Sequence, residues 1–184
     1  MALSALPTWE LIRAAGLTSY FLLFVSVTCG LLFSIKAAKP KINQLLQVTH
    51  QSAGWFSLLF GLFHGLLLYI DTYKPYSLVE IFIPFTTKEA PLLNGLGTIS
   101  LYIMVLLFLS GDLMKKVGVK VWKKIHRLAL PMVIFICIHG ILLGTDTRNG
   151  WAIFLYASTL AIILSLLIVK LLLLKAKTKK VASV

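Results

Sequence analysis

His50-Gln51-Ser52-Ala53-Gly54-Trp55-Phe56-Ser57-Leu58-Leu59-Phe60-Gly61-Leu62-Phe63-His64 is an uncharged, mostly apolar stretch with a histidine at each end. It lies inside a longer apolar segment, about Leu46–Ile70. A helix rises about 1.5 Å per residue, so the two histidines stand about 20 Å apart along its axis. A bilayer's hydrocarbon core is about 30 Å thick and takes about 20 apolar residues as a helix. The segment is long enough to cross a membrane with one histidine toward each face.

Four more segments have the same character: about Leu11–Ile35, Leu96–Met114, Ile125–Leu143 and Trp151–Leu174. An open strand would leave backbone groups unpaired in hydrocarbon, so all five are expected to be helices. The expected fold is an all-α integral membrane bundle of about five transmembrane helices, with residues 1–184 forming a single domain. The composition agrees. Of 184 residues 59% are hydrophobic and 13% charged, and mean hydropathy is +0.92. A soluble domain is nearer 45–50% apolar and about 25% charged. No pattern of basic n-region, short apolar core and cleavage site opens the chain, so no removable leader is expected.

The net charge of +12 does not point to nucleic acid, because the basic residues cluster between apolar runs. Lys36, Lys39 and Lys41 occupy the first connection. Lys115, Lys116, Lys120, Lys123, Lys124 and Arg127 occupy the third, and Lys170, Lys175, Lys177, Lys179 and Lys180 the C-terminal end. The opposite side carries only Arg13, Lys74, Lys88 and Arg148, mixed with Glu10, Asp71, Glu80, Glu89 and Asp146. The positive-inside rule puts the first set in the cytoplasm, with the N-terminus out and the C-terminus in. The one long connection, Asp71–Asn94, is expected on the outer membrane surface or folded over the outer end of the bundle.

All 4 histidines lie in two spans, His50 and His64 in the second, His126 and His139 in the fourth. Those spans run in the same direction, so depth pairs His50 with His126 on the inner side and His64 with His139 on the outer side. Intramembrane ionisable residues are functional suspects by default. A six-coordinate haem takes one axial ligand on each face of its ring, and two facing helices can supply them. Two layers therefore imply two haems b. Zinc fits less well, because each layer offers only two donors and no Cys, Asp or Glu shares their depth. Cys29 and Cys137 form no CxxCH or CxxC motif and read as core residues. Gly54, Gly61, Gly65, Gly140 and Gly144 accompany the histidines and are expected to let a flat ring approach the backbone. One feature opposes a regular fourth helix. Fourteen residues return to within about 40° on a helix, but the thirteen from His126 to His139 land about 140° away. Either the fourth helix is distorted, with Pro131 between them as a place for it, or its histidines approach their rings from different angles.

Trp122-Lys123-Lys124-Ile125-His126-Arg127-Leu128, the His64-Gly65 and Ile138-His139-Gly140 motifs, and the opening Arg13-Ala14-Ala15-Gly16 resemble the ferric reductase-like transmembrane domain. That domain is shared by NADPH oxidases, ferric reductases and the haem subunit of the methionine sulfoxide reductase system. The resemblance covers roughly Arg13–Leu174. It implies a haem-bearing membrane component of an oxidoreductase, with His50, His126, His64 and His139 as axial ligands. It also implies a place for Arg13 near the outer haem, at a propionate or a bound acceptor; an arginine snorkelling to the interface is the plainer reading. Arg127, Lys123, Lys39 and Lys41 could meet inner propionates. Trp9, Trp55, Trp122 and Trp151 read mainly as interface anchors, with Trp55 also a candidate wall of a haem pocket. No G-x-G-x-x-G appears, so this chain alone is not expected to bind flavin or NAD(P). Electrons are expected from a separate flavoprotein reductase or from quinol, passing to an acceptor on the outer face. A quinol dehydrogenase subunit like cytochrome b561 is an alternative, although such proteins usually spread their ligands over four helices. A small non-redox membrane bundle is another.

The orientation has a direct check. A fluorescent reporter fused to the C-terminus should be active, and a phosphatase that works only outside the cytoplasm should be silent there. The reverse pattern would overturn it.

Overall fold

The computed structural model describes residues 7–36 and 38–182. The first six residues, which bear on the leader, and the side chains of Lys177, Lys179 and Lys180 lie outside the described residues. Every regular element described is helical: α1 (Thr8–Ile35), α2 (Pro40–Tyr69), α3 (Leu78–Phe82), α4 (Pro91–Asp112), α5 (Met114–Val117), α6 (Val119–His126), α7 (Ala129–Leu143) and α8 (Gly150–Ala182). A single 3-10 turn, Thr145–Arg148, joins α7 to α8. Five stretches are long and apolar enough to cross a bilayer: α1, α2, α4, Val119–Leu143, and α8 over Gly150–Ala176. Only 17–22% of the residues in their most apolar parts are buried inside the protein. The remaining apolar surface needs lipid around it, and this is a multi-pass membrane protein.

The helix ends follow local chemistry. Pro40 and Pro91 open α2 and α4 in the first turn, where a missing N–H costs nothing. The fourth span is interrupted, with α6 ending at His126 and α7 beginning at Ala129. Pro131 has no N–H to give to the carbonyl of Arg127, four residues earlier, and its ring crowds that carbonyl. The chain tightens there instead: Leu128 N–H bonds Ile125 O at 2.9 Å and Leu130 N–H reaches Arg127 O at 3.4 Å. The distortion expected from the thirteen-residue histidine spacing is this break.

α1 and α2 run antiparallel and meet in a seven-residue register. His64 Nδ1 meets Ile12 O at 2.8 Å. Ser19 Oγ donates to Ser57 O, and Ser57 Oγ donates back to Ser19 O, both at 2.8 Å. One more heptad on, Ser26 Oγ donates to His50 O at 2.8 Å. Positions 12, 19 and 26 thus face 64, 57 and 50. A seven-residue repeat keeps one seam in contact along two nearly straight helices, and small side chains let the backbones approach. Between α1, α4, α7 and α8 lies the main core, with Tyr20, Leu23, Met104, Met132, Val133, Cys137, Tyr156 and Ile163 buried. Tyr20 OH hydrogen-bonds Thr159 Oγ1 within it. Cys29 and Cys137 are both free thiols.

The 71–90 connection folds over the end of the bundle, one of the two placements expected. Ser77 and Glu80 form a capping box that starts α3. Thr98 Oγ1 donates to Ile81 O at 3.0 Å, and Tyr102 OH donates to Phe82 O. Phe85 packs on Gly95 so closely that a Cβ there would collide with its ring. This end, with the 144–149 connection, is called distal below; the other is the lysine-rich end.

Candidate functional site

The four histidines form two facing pairs. The His50 and His126 ring centroids are 6.1 Å apart and their planes cross at 81°. The His64 and His139 centroids are 6.3 Å apart with planes at 89°. Two metal–imidazole bonds of about 2 Å on opposite sides of one ion, with the ring half-widths added, separate centroids by about 6 Å.

Three of the histidines are seated alike. His64 Nδ1 lies 2.8 Å from Ile12 O, His50 Nδ1 2.8 Å from Ser26 O, and His139 Nδ1 2.8 Å from Leu93 O. A carbonyl only accepts, so each Nδ1 carries the proton and each Nε2 keeps its lone pair. Ligating histidines are normally held this way, which fixes the tautomer and strengthens the donor nitrogen. In every case a glycine stands four residues past the carbonyl. A Cβ on Gly16 would lie 3.0 Å from His64 Nδ1, one on Gly30 3.0 Å from His50 Nδ1, and one on Gly97 2.8 Å from His139 Cε1. Each imidazole lies flat in a notch on a neighbouring helix that any side chain would fill.

The distal pair opens into a cavity of about 780 Å³ lined by His64, His139, Gly16, Gly97, Tyr20 and Tyr156, with Arg13, Thr145 and Asp146 also on its wall. That volume is in the range of cofactor pockets. Thr145 belongs to the wall, but its Oγ1 is buried away from the cavity space and, among the described residues, has no hydrogen-bond partner. Among the described residues no group of three or more His, Cys, Asp or Glu is placed to hold a metal ion. Two imidazoles per layer instead match an ion whose equatorial positions a macrocycle already fills. At the distal layer the histidines and the cavity fit a haem, and the pair at the lysine-rich end has the same spacing.

Arg13 meets an unforeseen partner. Its Nε donates to Asp146 Oδ2 at 2.9 Å and its Nη2 bonds Asp146 Oδ1, a two-point pair. Asp146 is only 5% exposed. Trp55 packs against Phe108 with centroids 4.3 Å apart and planes tilted by 32°, is 45% exposed, and does not line the distal cavity. Arg127 is exposed at the α6–α7 break, one residue past His126. Four of the glycines expected to admit a ring have a protein side chain near the position of a Cβ. Phe108 and Ser26 sit against Gly54, Ser19 against Gly61, Ile81 against Gly65 and Tyr156 against Gly140; Gly61, Gly65, Gly140 and Gly144 also line the cavity. The notch glycines lie on the opposite helices, and their one trace in the sequence is spacing. Gly16 and Gly30 are fourteen apart, as are His50 and His64.

Residues 15–137, more than half of the chain, match the family model described as "Ferric reductase like transmembrane component". The match includes His50, His64 and His126 and ends just before His139. No curated protein and no solved structure matches the chain.

Two predictions come from this geometry. Gly97→Val should push the His139 ring off Leu93 O and cost about 1–3 kcal/mol, as overpacking does; the thermal midpoint in detergent reads it. An unchanged midpoint would mean that the notch has slack. The second concerns acid. The Arg13 guanidinium holds the Asp146 carboxyl below the usual carboxylate range, against its burial. Burial pushes Asp71 up, but hydrogen bonds from Thr8 Oγ1 and the Lys74 N–H outweigh it and leave that carboxyl low as well. Groups with lowered folded values add stability above the unfolded value, about pH 4, and lose it as pH falls through the folded value. The midpoint should therefore hold from neutral pH down to about pH 4 and fall below it. Asp146→Asn should lower the neutral-pH midpoint and flatten that acid limb; an acid limb identical to wild type would rule Asp146 out as its source.

Proposed function

The chain belongs to the ferric reductase-like transmembrane family, whose domains generally bind haem, and on that premise we propose that it is a di-haem b electron-transfer protein. One observation carries the reading. The only four histidines form two pairs at the centroid separation of axial ligands, one toward each end of the bundle. His50 and His126 would hold the inner haem, and His64 and His139 the outer. Bound there, the irons supply one-electron redox chemistry.

The chain's own residues set the conditions for that chemistry. Three imidazoles are locked by carbonyls in the tautomer that leaves Nε2 free, and the glycine notches hold their planes. Hydrogen bonding at Nδ1 makes these imidazoles stronger donors toward a metal they would hold. Two imidazoles per layer would hold each haem from both sides, and a haem so held would exchange electrons without an open coordination site. Arg13 would meet a propionate in the distal cavity, and Arg127 one at the lysine-rich end. With the lysine-rich end in the cytoplasm, electrons would pass from a flavoprotein or quinol donor inside to an acceptor outside.

Pyridine haemochrome analysis should give two haems per chain. His64→Ala and His139→Ala should lose the same haem signal, and His50→Ala and His126→Ala should both lose the other. A ratio of zero would remove the reading. Different haems lost within one pair would show that the pairing is wrong.

A further inference from the structure

His126 is not seated like the other three histidines. Among the described residues neither of its ring nitrogens has a hydrogen-bond partner, whereas His50, His64 and His139 each have a carbonyl at Nδ1. The notch that the pattern would assign to it is unused. Gly111 follows Gly97 by fourteen residues on α4, as Gly30 follows Gly16 on α1. Yet nothing lies within 4 Å of where a Cβ on Gly111 would sit. The reason is the interrupted span. His126 is thirteen residues from His139, and the turn at Arg127–Leu128 lies between them, so the two imidazoles of this span cannot repeat one seat.

His126 has a different neighbour. Trp122 stands four residues earlier on the same face of α6, and its ring stacks on the imidazole with centroids 5.1 Å apart and planes 26° from parallel. We infer that Trp122 is the positioning residue of His126, its indole face taking over the task that a glycine notch and a carbonyl perform elsewhere. The inference rests on the di-haem reading. A flat indole along one face of the imidazole limits rotation about the Cβ–Cγ bond, and so holds the 81° angle to His50. It supplies no acceptor for Nδ1–H. Among the described residues no protein acceptor meets either ring nitrogen of His126, so its orientation rests on this stacking contact.

The test uses purified, haem-loaded protein and the electron paramagnetic resonance spectrum of its ferric state. The g-anisotropy of a low-spin ferric haem depends on the angle between its axial imidazole planes, so it reads ring orientation and not activity. Trp122→Leu keeps apolar bulk at the interface and removes the aromatic face; Trp122→Phe keeps an aromatic face. The Leu variant should shift the inner low-spin signal and convert part of it to high-spin. The Phe variant should stay close to wild type, and the outer signal should not move in either. Gly111→Ala should change nothing. Leu and Phe variants with the same spectrum, whether both normal or both disturbed, would overturn the inference, because an interface anchor serves equally in both. Wild-type protein without two low-spin signals would overturn the di-haem reading itself, and that result is visible before any variant is made.

Discussion

The seven-residue register between α1 and α2 is the constraint from which the site's dimensions follow. Lipid offers no hydrogen bonds, so polar groups facing the seam must be satisfied across it. Ser19 and Ser57 exchange hydroxyl-to-carbonyl bonds, Ser26 reaches His50 O, and His64 and His50 close onto Ile12 O and Ser26 O. Each contact lies one or two heptads from the next. Two heptads fix the fourteen residues between His50 and His64 and the matching fourteen between Gly30 and Gly16. The depth of each layer and the flat seating of its imidazole therefore come from one packing arrangement. A one-residue slip would put Cβ atoms where the rings lie.

The α4–α7 contact repeats half of that arrangement. Leu93, Gly97 and His139 reproduce the carbonyl, notch and ring of the α1–α2 seam. The other half fails because Pro131 cannot continue the hydrogen-bond ladder to Arg127, and the span breaks just past His126. This gives the two layers different characters. The distal pair is held by two carbonyls on two helices. The pair at the lysine-rich end is held by one carbonyl and one indole, on a short helix rich in lysine.

Much of this could be read from residues alone, and the exceptions share one cause. Apolar length gave the five spans, and depth brought His50 beside His126 and His64 beside His139, since rise along a helix is a local property. The distortion of the fourth span could also be read from thirteen residues and a proline. The notch glycines could not. Gly16 seats a histidine 48 positions later, and nothing local distinguishes it from Gly61 or Gly140, which pack against protein side chains. Arg13 and Asp146, 133 residues apart, both fell on the expected outer side, but sharing an end does not predict contact. Trp122 was legible as an interface anchor and as part of a motif, and its stacking on His126 follows from an i, i+4 spacing that either role allows.

The distal mouth also has an electrostatic character set by this chain. Among the described residues on the cavity wall, Asp71, Glu80, Glu89 and Asp146 face only two basic side chains, Arg13 and Lys74. Both of these are engaged, Arg13 with Asp146 and Lys74 with Glu89. A propionate held there would share Arg13 with a carboxylate already bound to it, and it would add to the negative balance. Fields of one sign at a cleft mouth draw the opposite charge and repel their own. By that rule a molecule approaching the distal mouth meets less resistance if it is neutral or cationic than if it is an anion.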